Sequence, residues 1–169
     1  MAAITLEPVS TQSQIDTLCA IAKTVWHETY DDLLPPGQPD YMIEKFQSDH
    51  AVKEQMAREN YRYVLAKLGE AYVGFVGYAP RYQGQEEMYL SKAYILPQGR
   101  GQGVVGALFR LVEEETKKEG LSRVRLTVNK GNAHAKAVYE HYGYRTGEAV
   151  RTDIGGGYVM DDYVMVKEL

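Results

Sequence analysis

Between positions 96 and 108 the chain reads Leu-Pro-Gln-Gly-Arg-Gly-Gln-Gly-Val-Val-Gly-Ala-Leu, and no other stretch restricts the fold as tightly. Before it, Leu90, Ala93 and Ile95 belong to an apolar, strand-like run; after it, Val104, Val105, Leu108, Leu111 and Val112 recur at helical spacing. The spacing therefore predicts a strand, a tight loop and a helix N-terminus in direct succession. Glycines let backbone N–H groups crowd together without Cβ interference. The first turn of a helix leaves its N–H groups unpaired at the positive end of the dipole. Such a loop suits a phosphate or pyrophosphate.

The sequence also narrows which phosphate ligand is meant. A Walker loop needs Lys followed by Ser or Thr after its last glycine, and Val104 and Val105 stand there instead. Gly101, Gly103 and Gly106 do spell the dinucleotide fingerprint. Against that reading, the preceding strand lies in mid-chain after a hairpin pattern, and Arg100 would crowd the turn.

The remaining elements read in order. A short strand at residues 4–8 precedes Thr11-Gln12-Ser13-Gln14, which has capping-box form, and a helix reaching about His27. Cys19 falls on its apolar face, as a small buried hydrophobe would. Residues 26–40, with Pro35-Pro36-Gly37, read as a loop, and short helices are predicted over 40–46 and 49–59. Residues 61–67 and 71–78 alternate around Gly69-Glu70, a hairpin signal, and lead to the strand at 89–95. After the helix ending at Gly120, residues 122–128 form a strand reached by a crossover and so parallel to 89–95. Asn132 caps a helix that stops at Gly143, and extended stretches flank Gly155-Gly156-Gly157. In the last strand, at 158–166, Asp161 and Asp162 point to opposite faces, so at most one can face a given pocket. The fold class expected is α/β, with a mixed, mostly antiparallel sheet flanked by helices. No linker divides the chain, so residues 1–169 are expected to form a single domain.

Arg100-Gly101-Gln102-Gly103-Val104, preceded by Ile95-Leu96-Pro97, resembles the acetyl-CoA loop of the GNAT N-acetyltransferases: Arg or Gln, two residues, Gly, one residue, Gly or Ala. Val105 departs from the small residue usual at the sixth place, and a register beginning at Gln98 also satisfies the pattern. A second segment is similar to the family's next motif at Asn129, Asn132, Tyr139, Glu140, Gly143 and Tyr144. The resemblance implies a GNAT-like fold whose two central parallel strands splay to admit the coenzyme. It implies acetyl-CoA as co-substrate, with the pyrophosphate held by the N–H groups of Arg100, Gly101, Gln102, Gly103, Val104 and Val105. The pantetheine amides would pair with backbone groups around Ala93 and Ile95, and Asn132 would cap its helix and touch the cofactor. Lys130 and Lys136 would either meet the 3′-phosphate or remain ordinary solvated lysines.

The activity implied is N-acetyl transfer to a primary amine by direct attack in a ternary complex. The acceptor is left open between a small polyamine, suggested by similarity around Glu28-Thr29-Tyr30 and Asp161-Asp162-Tyr163 to spermidine/spermine-type enzymes, and a protein N-terminus. A non-catalytic CoA-binding module is the third reading. Tyr139 falls at the family position whose hydroxyl faces the CoA sulfur, and an ordinary tyrosine pKa near 10 keeps it protonated at neutral pH. Its other reading is a core tyrosine. Glu87 is the best-placed carboxylate for a general base, ahead of Glu86 and Ser91, with a solvated surface glutamate as the alternative. Trp26, Tyr30 and Asp31 would wall the acceptor site or merely anchor a polar loop.

The four histidines have no metal-binding spacing, and no metal is expected. A net charge of −4 argues against nucleic acid and mildly favours a cationic acceptor. One cysteine, no basic leader and no apolar run of membrane length suggest the cytoplasm and no membrane partner. Family members are often dimers, so a homodimer is expected. Fourteen tyrosines against three phenylalanines point to several half-buried rings with polar tips.

Overall fold

The computed structural model describes residues 2–169. Its centre is one seven-stranded sheet of order β1-β2-β3-β4-β5-β7-β6. The strands are β1 (Ile4–Pro8), β2 (Arg62–Leu68), β3 (Ala71–Pro80), β4 (Met88–Ile95), β5 (Arg123–Asn129), β6 (Arg145–Gly155) and β7 (Tyr158–Glu168). Every neighbouring pair is antiparallel except β4 with β5, joined by the crossover helix α4 (Val104–Lys118). This is the mixed α/β architecture expected, and its parallel pair splays. Only Met88 with Val124 and Tyr89 with Arg125 are in register, although both strands continue for four residues or more.

Helices cover both faces. On one, α1 (Gln12–Tyr30) buries Ile15, Leu18, Ala22 and Val25 against Leu65 and Phe75. Residues Gln38–Gln47 (α2) and Asp49–Arg58 (α3) lie on the same side as α1, with Ser48 capping α3 through the Ala51 N–H. On the other face, Leu108, Phe109 and Val112 of α4 pack on Val64, Val76 and Leu126, joined by Tyr139 of α5 (Ala133–His141). Burying each such large side chain contributes roughly 1.5–3 kcal/mol, so the two apolar layers clamp the sheet even where its strands separate.

The capping box at Thr11 forms with both hydrogen bonds in place. Helix α1 differs from expectation in running three residues past His27, to Tyr30. Trp26 and Tyr30, four apart, stack with centroids 4.3 Å apart, which stabilises that last turn. Both rings thus ride on a helix instead of a loop.

β4 carries a bulge. Gly77 opposes Lys92 and Tyr78 opposes Leu90, leaving Ser91 as the extra residue. The bulge exchanges the faces of the strand, so Leu90 and Ala93 pack on the α4 side while Lys92 and Tyr94 face α1–α3.

Candidate active site

The separation of β4 and β5 opens a cavity of about 1210 Å³ that passes from the N-terminus of α4 through the sheet to α1 and α2. Ala93 and Ile95 line it from β4, and Thr127 and Asn129 from β5. At its mouth lies the glycine loop. Gly101 and Gly103 adopt φ of +72° and +83°, a conformation that side-chain-bearing residues rarely take, and this turns successive N–H groups outward. Among the described residues, none of the N–H groups from Gly101 through Gly106 donates to the protein. The first turn of α4 has no side-chain cap and no acidic residue, so its positive end is neither bonded nor neutralised. The open run starts one residue later than expected, because the Arg100 N–H donates to the Pro97 carbonyl at 3.2 Å. The Arg100 side chain reaches across to Glu28 of α1, and its Nε donates to the Ile95 carbonyl at 3.2 Å. Gln102 turns back to the Gln98 carbonyl, Val104 is buried, and Val105 lines the cavity.

Asn132 is the N-cap of α5, accepting from the Ala135 N–H at 3.2 Å. Its Nδ2 donates to the Tyr30 hydroxyl at 3.2 Å and so ties α5 to α1 across the cavity. Tyr139 stacks on Phe109 at 5.7 Å and meets Tyr144 edge-on at 5.8 Å, which fixes its ring. Its hydroxyl bonds to none of the described residues, and burial pushes its pKa above the ordinary tyrosine range. It is a protonated donor without an acceptor at any neutral pH.

On the far side of the sheet, Trp26 donates to the Tyr94 hydroxyl at 2.8 Å, and Gln47 donates to the same oxygen at 3.2 Å. Burial raises the Tyr30 pKa as well. Lys92 also lines this part, 4% exposed, donating to the Phe46 carbonyl and to Gln55 Oε1 at 3.1 Å with its ammonium over the Tyr63 ring. No carboxylate pairs with it among the described residues, and burial pulls its pKa down to about 7.

Two of the carboxylates singled out from sequence lie elsewhere. Glu87 is not among the cavity-lining residues; Arg125 at 3.1 Å and Arg123 at 3.8 Å hold it. Its carboxylate is therefore engaged by two guanidiniums and does not face the cavity. Asp31 is exposed and pairs with His27 at 2.8 Å, outside the cavity wall. Glu86 pairs with Arg81, Ser91 accepts from Tyr61, and Lys136 pairs with Glu140. Lys130 binds Asp161 at 3.0 Å, which leaves Asp162 as the member of that pair facing the cavity. Asp162 is 5% exposed, and burial first, then its neighbour Asp161, pushes its pKa up to about 6. Strand parity announced that one of the two would face inward without telling which.

Fold and site together define an α/β protein whose sheet is split between two parallel strands, with a run of unpartnered N–H groups at the mouth of the split. A sequence profile described as the acetyltransferase (GNAT) family matches residues 25–144. The chain belongs to that family. It is 38% identical over 95 residues to an uncharacterised N-acetyltransferase of Mycobacterium bovis, a match covering 56% of this chain and 60% of that protein. In fold it is similar to PaiA N-acetyltransferase from Thermoplasma acidophilum in complex with coenzyme A (TM-score 0.79, 19% identity, 99% of each chain). It is likewise similar to a GCN5-related N-acetyltransferase from Rhodopseudomonas palustris (TM-score 0.81, 16% identity, 100% of this chain and 98% of that one). No helix of the described residues is long and apolar enough to cross a membrane.

Proposed function

We propose that the protein is an acetyl-CoA-dependent N-acetyltransferase acting on a primary amine through a ternary complex. The observation that carries this reading is the run of unpartnered N–H groups from Gly101 to Gly106 at the mouth of the β4–β5 wedge. Those amides and the uncapped end of α4 fit a diphosphate. The unpaired edge of β4 around Ala93 fits the amides of a pantetheine arm, with Ile95 offering less because its carbonyl already accepts from Arg100. Acetyl-CoA, when bound, supplies a thioester already reactive toward amines.

The chain's own residues supply position and protons. The wedge directs the thioester end toward the cavity shared by Tyr139 and Tyr30, while Asn132 keeps α5 and α1 at a fixed spacing. Tyr139 gives its hydroxyl proton to the departing sulfur. Its raised pKa keeps it protonated at neutral pH, so a proton is present on the hydroxyl when the thiolate forms. The Arg100–Glu28 pair spans the loop and α1 and closes the cavity side of the wedge. Trp26, Tyr30 and Tyr94 form the wall against which the acceptor lies. Both small amines and peptide N-termini are acceptors to be tried.

The test is thiol release with acetyl-CoA and a panel of polyamines, monoamines and peptides, on the wild type and on Tyr139→Phe. Turnover should fall by roughly tenfold or more in the variant, with acetyl-CoA affinity unchanged. Tight CoA binding with no thiol release from any acceptor would replace the enzyme with a CoA-binding module.

A further inference from the structure

Asp162 is the buried carboxylate of the acceptor side, and it has no partner. It forms no hydrogen bond or ion pair with any described residue, yet it lines the cavity at 5% exposure. A carboxylate taken out of water without a counter-charge is expensive, so such groups are normally paired. The titratable groups nearest it are Tyr30 from α1 and Asp161 beside it on β7. Across the sheet it is flanked by Asn129 of β5 and Val150 of β6, both uncharged. The nearby cation, Lys130, is held by Asp161. A second orphan lies in the same chamber: Gln47 Oε1, on a residue 3% exposed, is a buried acceptor with no donor.

Much of the remaining wall of that chamber is apolar. Trp26, Met42, Phe46, Ile154 and Met160 line it, and the first two with Ile154 form the buried centre of a separate hydrophobic cluster. Of the other carboxylates that line the cavity, Glu28 is paired with Arg100 and Glu54 with Arg58, while Glu59 lies at the end of α3. Lys92 and Lys45 both line the cavity, and both are bonded to neutral acceptors, Lys45 donating to the Ile154 carbonyl at 2.6 Å. A second ammonium on the acceptor would meet one of these charges in a medium of low dielectric.

We infer that Asp162 receives the ammonium of the acceptor and accepts its first proton, and that the acceptor is a monoamine on a flat or branched apolar body, not a polyamine. This rests on the transferase reading above. The chemistry balances as follows. One N–H bond of the ammonium breaks and an O–H bond forms on Asp162, leaving a neutral amine. Its lone pair forms the C–N bond to the acetyl carbon while the C–S bond breaks and the sulfur takes the Tyr139 proton. The nitrogen's second proton returns to Tyr139 through cavity water, and Asp162 releases its proton to solvent. Asp162, Tyr30 and Tyr139 all line this one cavity.

The experiment compares phenethylamine, spermidine and an alanyl peptide as acceptors for the wild type, Asp162→Asn and Asp162→Glu, over pH 5 to 9, with folding checked by melting. The wild type should prefer phenethylamine to spermidine by roughly tenfold or more in kcat/KM. Asp162→Asn should lower kcat/KM for phenethylamine by about a hundredfold and abolish the acidic limb of its pH profile, and Asp162→Glu should restore that limb. A preference for spermidine or the peptide, or an Asp162→Asn enzyme with an unchanged profile, overturns the inference while leaving an acetyltransferase. Absence of thiol release from every amine overturns the transferase reading itself.

Discussion

If Asp162 is kept for a ligand, the ligand-free protein must bear the cost of keeping it, and that cost can be measured. The carboxyl's pKa rises from 3.8 to about 6 on folding. Roughly two pKa units correspond to about 3 kcal/mol between its two protonation states. The sign follows from proton binding. Between pH 3.8 and about 6 the folded chain holds a proton that the unfolded chain has released, so stability falls as pH rises through that window and the full cost is felt above it. Asp162→Asn keeps the shape and removes the charge. At pH 7.5 it should be more stable than wild type by up to about 3 kcal/mol, or roughly 6–12 °C in melting temperature for a chain of this size. The gap should close as pH falls toward 4. Urea or thermal denaturation of both proteins at pH 4, 5, 6 and 7.5 measures it. A variant that is less stable at pH 7.5, or one whose advantage is the same at every pH, would mean that Asp162 is not a buried unpaired charge, and the reasoning would fail. The variant is therefore expected to lose activity and gain stability together, the mark of a group retained for function.

Two further predictions concern the other buried or paired charges. Lys92→Met should stabilise the protein below pH 7, because the Phe46 carbonyl keeps the Gln55 Nε2 donor and Gln55 Oε1 keeps the Tyr63 hydroxyl, so no acceptor is orphaned. The lysine's pKa falls from 10.5 to about 7 on folding, so wild-type stability recovers as pH rises. The difference should narrow by about 1.4 kcal/mol per pH unit across that interval, read from melts at pH 6 to 10. Glu87→Gln should leave turnover unchanged and cost about 1 kcal/mol of stability through the loss of its arginine pairs, whereas a collapse of turnover in a folded variant would restore Glu87 as the base.

The residues that could be read from sequence are those whose role is local. The glycine loop, the Thr11 and Asn132 caps and the crossover from β4 to β5 all follow from spacing within a few positions, and each is found where that spacing put it. What escaped was set by partners distant in sequence. Glu87 looked free until β5 brought Arg123 and Arg125 against it. Lys92 owes its burial to α2 and α3, which cover it with Phe46 and Gln55. There was one overlooked clue to Lys92. The apolar positions Leu90, Ala93 and Ile95 are spaced three and then two apart, which strict alternation forbids and a bulge at Ser91 explains. Read that way, the same spacing sends Lys92 to the α1–α3 face, away from Leu90.

The two ends of the cavity are built for opposite charges, and the wedge between them sets the order in which those charges can be useful. On the proposed function, six unpartnered N–H groups and the positive end of α4 meet the coenzyme's anion at the mouth, and the unpaired Asp162 carboxylate meets the acceptor's ammonium at the floor. Neither end is neutralised by the protein, so each leaves stability unrealised until its ligand arrives. Between them the wall is held by a run of contacts from Asn132 to Tyr30, Tyr30 against Trp26, Trp26 to Tyr94, and Tyr94 to Gln47, which fixes α5 and α1 to the sheet across the cavity.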